Sequence, residues 1–270
     1  MADGVVQRSK DVLRRLGVQK PWARPYEPYT TSVEDALKNG ANHGELAGIF
    51  FRADGRLMHK WMHYFAAYER EFAPFREGFP LPDGSRRPLR LLEIGVFHGG
   101  SLQLWRTYFG PQASIWGVDI DPRCATVDDG DVHVRIGSQA DPGFLTSVVA
   151  EMGGVDIVID DGSHHAKHQR AAFEALFPLL SDGGLYFVED VHTAYWFAKG
   201  GGYRRPGTFI EVAKHLVDGM HAWYYRRRPH RVARTASTTI SRLTFYDSIV
   251  VVEKRLHGEP MVVKAGRPSF

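Results

Sequence analysis

Leu91-Leu92-Glu93-Ile94-Gly95 opens the stretch that decides the fold, and Val96-Phe97-His98-Gly99-Gly100 completes it: an apolar run, an acidic residue and a turn of small residues. From residue 89 to residue 196, short apolar runs alternate with helical patterns, which is typical of βαβ units and predicts a parallel sheet. Strands are predicted at 90–94, 114–119, 132–136, 155–160 and 184–189, and helices at 100–109, 141–151 and 166–180.

The two ends of the chain differ from this central pattern. After it, a helix is predicted at 208–222, and strands at 238–245 and 248–254 form a hairpin around Tyr246-Asp247. Before it, a turn-rich segment at 80–88, with Asp83-Gly84, predicts a boundary. We therefore expect an N-terminal helical or lid extension over 1–85 and an α/β domain over 86–270.

Composition excludes several classes of protein. With 43% hydrophobic residues in 270, the chain can bury a full core, and a net charge of +3 is too small to indicate nucleic-acid binding. The single cysteine, Cys124, excludes an internal disulfide and a multi-cysteine zinc site. No apolar run is long enough to span a bilayer, and the charged N-terminus does not resemble a signal peptide. We expect a soluble, cytoplasmic protein without a membrane or nucleic-acid partner.

The N-terminal extension has three segments. Residues 4–16 form a predicted helix that docks on its own domain or on a second subunit, which would make the protein a homodimer, and residues 19–31 form an extended linker. Residues 56–72 form a predicted helix rich in aromatic rings, most simply a packing face. Laid over a pocket, this helix would present Lys60 or His63 to a substrate. His59 and His63 are four residues apart, but without a local third ligand they are better interpreted as surface or lid histidines than as a metal pair.

The turn after the first strand suits a cofactor that lies across strand ends. Gly95, Gly99 and Gly100 allow a close backbone approach. Their spacing differs from the dinucleotide fingerprint G-x-G-x-x-G, and Glu93 ahead of the turn suits a cationic amino-acid group. Asp119 follows Glu93 by 26 positions, which favours a contact with a ribose diol.

Two further positions extend this cofactor prediction. Asp121 is a second candidate for the ribose contact, and Gln139, after the third strand, could meet the adenine edge. A turn of this kind also occurs in α/β proteins that bind no cofactor.

Paired carboxylates end the next two strands. Asp160-Asp161 and Glu189-Asp190 would repel one another at one sheet edge, and a hard divalent cation would relieve this, with oxygen ligands favouring Mg²⁺, or else Ca²⁺ or Mn²⁺, over zinc. Successive strand side chains point to opposite faces, so we place Asp160 on the cofactor side and Asp161 in the pocket. The alternative is helix capping and a solvated turn.

Residues that follow these pairs could complete an active site. His164 opens the next helix and is a candidate general base. Tyr195 and Trp196 could stack on a sugar, although core packing explains them almost equally well.

The run Asp160-Asp161-Gly162-Ser163-His164, with Glu189-Asp190 and Tyr195-Trp196, resembles the metal-dependent sugar O-methyltransferases of the mycinamicin and macrocin type. Leu92-Glu93-Ile94-Gly95-Val96 and the pattern Lys60, His63, Tyr64, Tyr68 are similar too, and the resemblance adds Tyr64 to Lys60 and His63 as a candidate substrate residue. The resemblance implies a class I, Rossmann-like methyltransferase fold, whose parallel sheet ends in an antiparallel hairpin, with S-adenosylmethionine and Mg²⁺ as cofactors. It implies Asp161, Glu189 and Asp190 as metal ligands and His164 as base. Phe97 departs from the glycine common in methyltransferases. The chain also resembles the 1-O-methyltransferases of mycobacterial methylmannose polysaccharide, which implies a mannoside acceptor.

Two other interpretations compete. Tyr195 and Lys199 spell the Y-x-x-x-K of short-chain dehydrogenases, although the glycine turn has the wrong spacing for that class. The run Arg226-Arg227-Arg228 would suit a non-catalytic binding module, but such runs are usually solvated faces. A vicinal-diol acceptor other than a sugar also remains open.

Overall fold

The computed structural model describes residues 31–38, 40, 44–226 and 231–270. The helix predicted at 4–16 lies outside these residues, as does nearly all of the linker predicted at 19–31. Arg227 and Arg228 of the basic run also lie outside them.

The described strands form a small ribbon and one large sheet. In the ribbon, β1 (Phe79–Pro80) pairs antiparallel with β2 (Arg86–Arg87). The sheet has the order β5-β4-β3-β6-β7-β9-β8, in which β3 to β7 run parallel and β8 and β9 are antiparallel. Its strands are β3 (Arg90–Ile94), β4 (Ser114–Asp119), β5 (Val132–Ile136), β6 (Val155–Asp160), β7 (Leu180–Val188), β8 (Ile240–Tyr246) and β9 (Ile249–Lys254). This is the class I methyltransferase arrangement that the sequence predicts.

Helices cover both faces of the sheet. They are α1 (Val33–Lys38), α2 (Gly44–Arg52), α3 (Tyr64–Phe72), α4 (Gly100–Phe109), α5 (Pro142–Glu151), α6 (Ala166–Leu176), α7 (Phe209–Met220) and α8 (Arg231–Thr239). α5 begins as predicted, because the Asp141 side chain accepts hydrogen bonds from the backbone of Gly143 and Phe144. Within the described residues, no helix combines the length and the apolar character needed to cross a membrane.

Three predicted boundaries are wrong. The helix predicted over 56–72 begins only at Tyr64, because residues 56–61 instead run across the start of α4 and bury Lys60 among carboxylates. We call residues 56–61 the strap. β7 begins at Leu180, which pairs with Val155 ahead of a register shift, and not at the predicted residue 184. α8 occupies residues where the first hairpin strand was predicted to begin.

The alternation of strand side chains divides the core into two clusters. On one face, Leu91 and Ile159 pack with α2, α3 and α4; on the other, Leu92 and Val158 pack with α5, α6 and α7. Tyr68 of α3 is fully buried and meets Trp105 of α4 edge to face at 5.1 Å between ring centroids. The helices at 44–72 therefore share one hydrophobic core with the sheet, and the packing face predicted there is part of that core.

Candidate active site

A cavity of about 930 Å³ opens at the carboxyl ends of the parallel strands. It is lined by the segments that follow β3, β4, β5, β6 and β7 and is bounded on one side by the strap. In doubly wound folds this edge is where ligands bind.

The glycine turn after β3 is shaped by close backbone contacts. Gly95 has φ 96°, and a Cβ there would clash with the carbonyl oxygen of Asp161. At Gly100 a Cβ would lie 2.5 Å from the Leu57 carbonyl oxygen of the strap. Both glycines line the cavity. Gly99 does not line it and is the N-cap residue of α4, with a left-handed backbone conformation. Gly99 therefore shapes the turn from outside the lining.

Asp119 ends β4 and holds this turn in place. Its Oδ2 accepts hydrogen bonds from Val96 N at 2.8 Å and Phe97 N at 3.2 Å, and its Oδ1 accepts one from Asp121 N at 2.9 Å. Asp119 and Asp121 both line the cavity, so the geometry allows the ribose contact predicted for either. Phe97 lies in the left-handed region at φ 53° and is held there by the Asp119 carboxylate.

Two predicted cofactor contacts lie beneath the cavity instead of on its wall. Asp160 is fully buried and its Oδ1 accepts from Gln139 Nε2 at 3.1 Å; the Gln139 Oε1 in turn accepts from Ser163 N at 2.7 Å. Glu93 is fully buried on the opposite face, where its Oε2 accepts from Ser101 Oγ at 2.7 Å and from Trp105. Burial raises the pKa of each carboxyl to about 7. The expected cofactor-side placement of Asp160 is corrected: its strand position points it into the packed face, and Gln139 lines the cavity above it.

The carboxylates that follow β6 and β7 converge with an imidazole. Asp161, His164 and Asp190 each place one potential ligand atom within 4.8 Å of the others. His164 Nε2 lies 3.5 Å from Asp190 Oδ2. His164 and Asp190 have φ of 55° and 52°, left-handed conformations that cost on the order of 1–3 kcal/mol each and concentrate at functional sites.

A lysine from the strap is buried within the same group. Lys60 Nζ lies 2.5 Å from Asp161 Oδ2, 2.9 Å from Glu189 Oε2 and 3.7 Å from Glu93 Oε1. Burial alone would lower the pKa of the Lys60 ammonium, but the Asp161 and Glu189 carboxylates outweigh it and hold that pKa well above its usual value. Lys60 is therefore a fixed positive charge beside the acidic side chains.

Aromatic side chains of the strap and of α3 donate hydrogen bonds to Glu189 and Asp190, the two carboxylates that follow β7. Tyr68 OH donates to Glu189 Oε1 at 2.5 Å, Tyr64 OH to Asp190 Oδ1 at 2.6 Å, and Trp61 Nε1 to Asp190 Oδ1 at 3.1 Å. The sequence pattern gave no signal for the hydrogen bonds of Trp61 and Tyr68, since their helical spacing indicates core packing equally well. The partners lie more than a hundred residues away in the chain.

The predicted substrate residues divide into two groups. Lys60, Tyr64 and Trp196 line the cavity; His63 and Tyr195 do not. His63 faces Asp247, and Tyr195 is 49% exposed on the outer surface. Tyr195 is thereby separated from the cavity, and Lys199 donates to the Ser163 carbonyl, so the geometry gives no support to the dehydrogenase interpretation.

The residues present fit a hard divalent cation. Within the described chain, hydrogen bonds reach Oδ2 of Asp161 and Oδ1 of Asp190, which leaves the other oxygen of each to a ligand in the cavity. Carboxylate oxygens are the ligands that Mg²⁺ and Mn²⁺ prefer. Glu189, also a predicted ligand, has Tyr68 on one oxygen and Lys60 on the other, so its part in binding a metal stays a prediction.

Comparison with known proteins agrees with this geometry. Residues 92–191 match the family described as Methyltransferase domain. The chain is 39% identical over 230 residues to 8-demethyl-8-alpha-L-rhamnosyl tetracenomycin-C 2'-O-methyltransferase of Streptomyces olivaceus, covering 82% of this chain and 57% of that protein. It is 35% identical over 210 residues to mycinamicin VI 2''-O-methyltransferase of Micromonospora griseorubida, covering 74% of this chain and 50% of that one. The chain thus spans little more than half the length of these relatives.

A solved structure shares the fold. The MycE methyltransferase from the mycinamycin biosynthetic pathway, in complex with Mg, SAH and mycinamycin VI, matches with a TM-score of 0.64 and 30% identity. The match covers 87% of this chain and 66% of that one. The chain therefore carries a class I methyltransferase domain and is a homologue of proteins that are named as O-methyltransferases of glycosylated compounds.

Proposed function

We propose that this chain transfers the methyl group of S-adenosylmethionine to a hydroxyl of a sugar, with a divalent cation, Mg²⁺ in the first instance, held by Asp161 and Asp190. The observation that carries this proposal is the meeting of Asp161, His164 and Asp190 in one cavity with the glycine turn at Gly95. The relatives support it, because they are named as sugar O-methyltransferases, and MycE is named as a complex with Mg and SAH.

The donor would lie across the strand ends. Gly95 and Gly100 line the cavity where it would lie, Asp119 and Gln139 offer polar atoms at the cavity wall, and the group of carboxylates suits a cationic sulfonium compound. Asp160 would act through Gln139, and Glu93 through Ser101 and Lys60, because neither lines the cavity.

The reaction is a direct displacement. The acceptor oxygen attacks the methyl carbon, a C–O bond forms as the C–S bond breaks, and the products are a methyl ether and S-adenosylhomocysteine. The hydroxyl proton passes to the imidazole of His164, whose Nε2 lies 3.5 Å from Asp190 Oδ2. A bound divalent cation supplies Lewis acidity, which lowers the pKa of a coordinated hydroxyl. The protein itself must align the oxygen with the methyl carbon.

Aromatic rings beside the acidic side chains suit a sugar ring. His192 lies between Trp61 and Trp196, with ring centroids at 5.9 Å and 4.9 Å, and all three line the cavity. Such rings pack against the apolar face of a pyranose, while carboxylates and a cation bind neighbouring hydroxyls. The acceptor we propose is a glycoside with adjacent hydroxyls: a mannoside, as the methylmannose resemblance implies, or a deoxysugar glycoside, as in the named substrates of the relatives.

The test is product formation with methyl-labelled S-adenosylmethionine, MgCl₂ and a panel of mannosides, rhamnosides and macrolide glycosides. We expect a labelled methyl ether with at least one sugar, loss of product after EDTA treatment and recovery when Mg²⁺ is restored. The matched control is the same glycoside with one of the adjacent hydroxyls replaced by hydrogen. Undiminished product in metal-free buffer with EDTA would remove the cation from the proposal. Labelling of the deoxy control at the same rate would remove the role of the neighbouring hydroxyl.

A further inference from the structure

We propose that the strap and the start of α3 orient the carboxylates of the candidate cation site. Tyr64, together with Trp61, is a positioning residue that turns Asp190 towards the cation. The inference rests on the cation site of the proposed function and adds to it the chain segment that orients one of its ligands. It assigns to the start of α3 and to the strap a role beyond packing and beyond covering a substrate.

Asp190 lacks the local support that a strand residue has. It lies two residues after the last residue of β7, has φ 52° and starts a short 3₁₀ turn without capping that turn with its own side chain. The torsion that rotates an aspartate carboxylate is soft, so the backbone alone does not determine which oxygen faces the cavity. Another part of the chain must fix it.

Two donors, one from the strap and one from α3, reach the same oxygen of Asp190. Tyr64 OH lies 2.6 Å and Trp61 Nε1 3.1 Å from Asp190 Oδ1, while Asp190 N donates back to the Tyr64 hydroxyl at 3.3 Å. With Oδ1 held on this side, Oδ2 is turned towards His164 Nε2 and Asp161. The pair of donors thus selects the oxygen that faces the proposed cation.

The tyrosine hydroxyl can act only as a donor to this carboxylate. Tyr64 is 1% exposed, and burial together with the Asp190 carboxylate raises the pKa of its hydroxyl far above the usual value. The carboxylate offers only acceptor oxygens, so the tyrosine hydroxyl is the donor of this hydrogen bond. Groups that orient a metal ligand from behind typically change metal affinity or activity by about 10- to 100-fold when removed.

A second tyrosine on α3 repeats the arrangement one turn later. Tyr68 OH donates to Glu189 Oε1, and Lys60 holds Oε2 of the same carboxylate. Tyr64 and Tyr68 are four residues apart on one face of α3, so a single helix reaches both carboxylates that end β7. This repetition distinguishes the arrangement from an accidental surface contact.

The test measures Mn²⁺ binding to the Tyr64→Phe variant by electron paramagnetic resonance. The sample contains S-adenosylhomocysteine and no acceptor. We expect the dissociation constant for Mn²⁺ to rise by about 10- to 100-fold, with a changed spectrum of the residual bound ion. The matched control is Tyr186→Phe: Tyr186 is also fully buried, and its hydroxyl has no hydrogen-bond partner among the described residues. Its Mn²⁺ binding should equal that of the wild type.

A second variant keeps the test decisive if Tyr64→Phe does not fold. Trp61→Phe keeps a ring on the strap but removes the Nε1 donor, and it should weaken Mn²⁺ binding in the same direction. Folded variants of both residues that bind Mn²⁺ with wild-type affinity and spectrum would overturn the inference while leaving the proposed function intact. Wild-type protein that binds S-adenosylhomocysteine but no Mn²⁺ would overturn both.

Discussion

Replacing Gly100 by alanine tests whether the strap lies across the first turn of α4. A Cβ at this position would lie 2.5 Å from the Leu57 carbonyl oxygen and 2.6 Å from that of Arg56. Both contacts are far inside van der Waals distance, and backbone oxygens cannot rotate away as side chains do. The strap must therefore move, and it carries Lys60 with its ion pairs to Asp161 and Glu189.

The structure fixes the sign of the effect. Helix propensity alone favours alanine over glycine by up to about 1 kcal/mol. Overpacking a buried contact costs about 1–3 kcal/mol, so the net change should be a destabilisation of roughly 1–2 kcal/mol. Displacement of the strap should also weaken binding of S-adenosylhomocysteine, because the strap forms one side of the cavity.

Urea unfolding and titration calorimetry with S-adenosylhomocysteine measure these two effects. Gly143→Ala is the matched control: Gly143 is also in the first turn of a helix, and the nearest neighbour of its Cβ would be Asp141 Oδ1 at 3.3 Å. We expect that control to be neutral or slightly stabilising. A Gly100→Ala protein that is as stable as the wild type and binds the nucleoside equally well would refute the placement of the strap.

Three further predictions follow from other parts of the structure. Burial raises the pKa of Asp160 to about 7, above its value near 4 in an unfolded chain, so this carboxyl lowers the stability of the folded state as pH rises between these values, by at most about 4 kcal/mol; urea unfolding of Asp160→Asn without metal should show a shallower decline, to which Glu93 still contributes, and parallel pH curves would contradict it. His164→Ala should reduce turnover by ~10²–10⁴ with unchanged S-adenosylhomocysteine affinity in calorimetry, and wild-type turnover would remove His164 as the base. Asp156→Ala should lower the free energy of unfolding in urea by about 3–5 kcal/mol, because Arg87 and Arg90, whose guanidinium nitrogens lie 2.6 Å and 2.9 Å from the Asp156 oxygens, lose their buried carboxylate. Asp156 is the second residue of β6, at the sheet edge away from the cavity, so Mn²⁺ affinity should not change, and a loss of that affinity would contradict this placement.

The sheet could be predicted from sequence because its signals are local. Apolar runs of strand length, separated by helical patterns, determine β3 to β6 within the chain itself. The position of Asp161, His164 and Asp190 at one edge then follows from the parallel connection of β6 and β7. These are the residues that the structure brings together.

The strap could not be predicted, because its conformation depends on partners distant in sequence. The rings around Trp61 have helical spacing, yet the ion pairs of Lys60 with Asp161 and Glu189 hold the chain out of a helix as far as Tyr64. Asp160 shows a second limit. Alternation predicts that Asp160 and Asp161 point to opposite faces, but only the packing of the whole sheet decides which of them reaches the cavity.

We propose that Asp161 and Asp190, at the ends of neighbouring strands, bind one cation beside the methyl donor. Anomalous scattering from a crystal grown with S-adenosylhomocysteine and MnCl₂ measures this directly. The structure predicts a manganese peak between these two carboxylates, next to the nucleoside. A crystal with the nucleoside bound and manganese absent from both carboxylates would contradict the account.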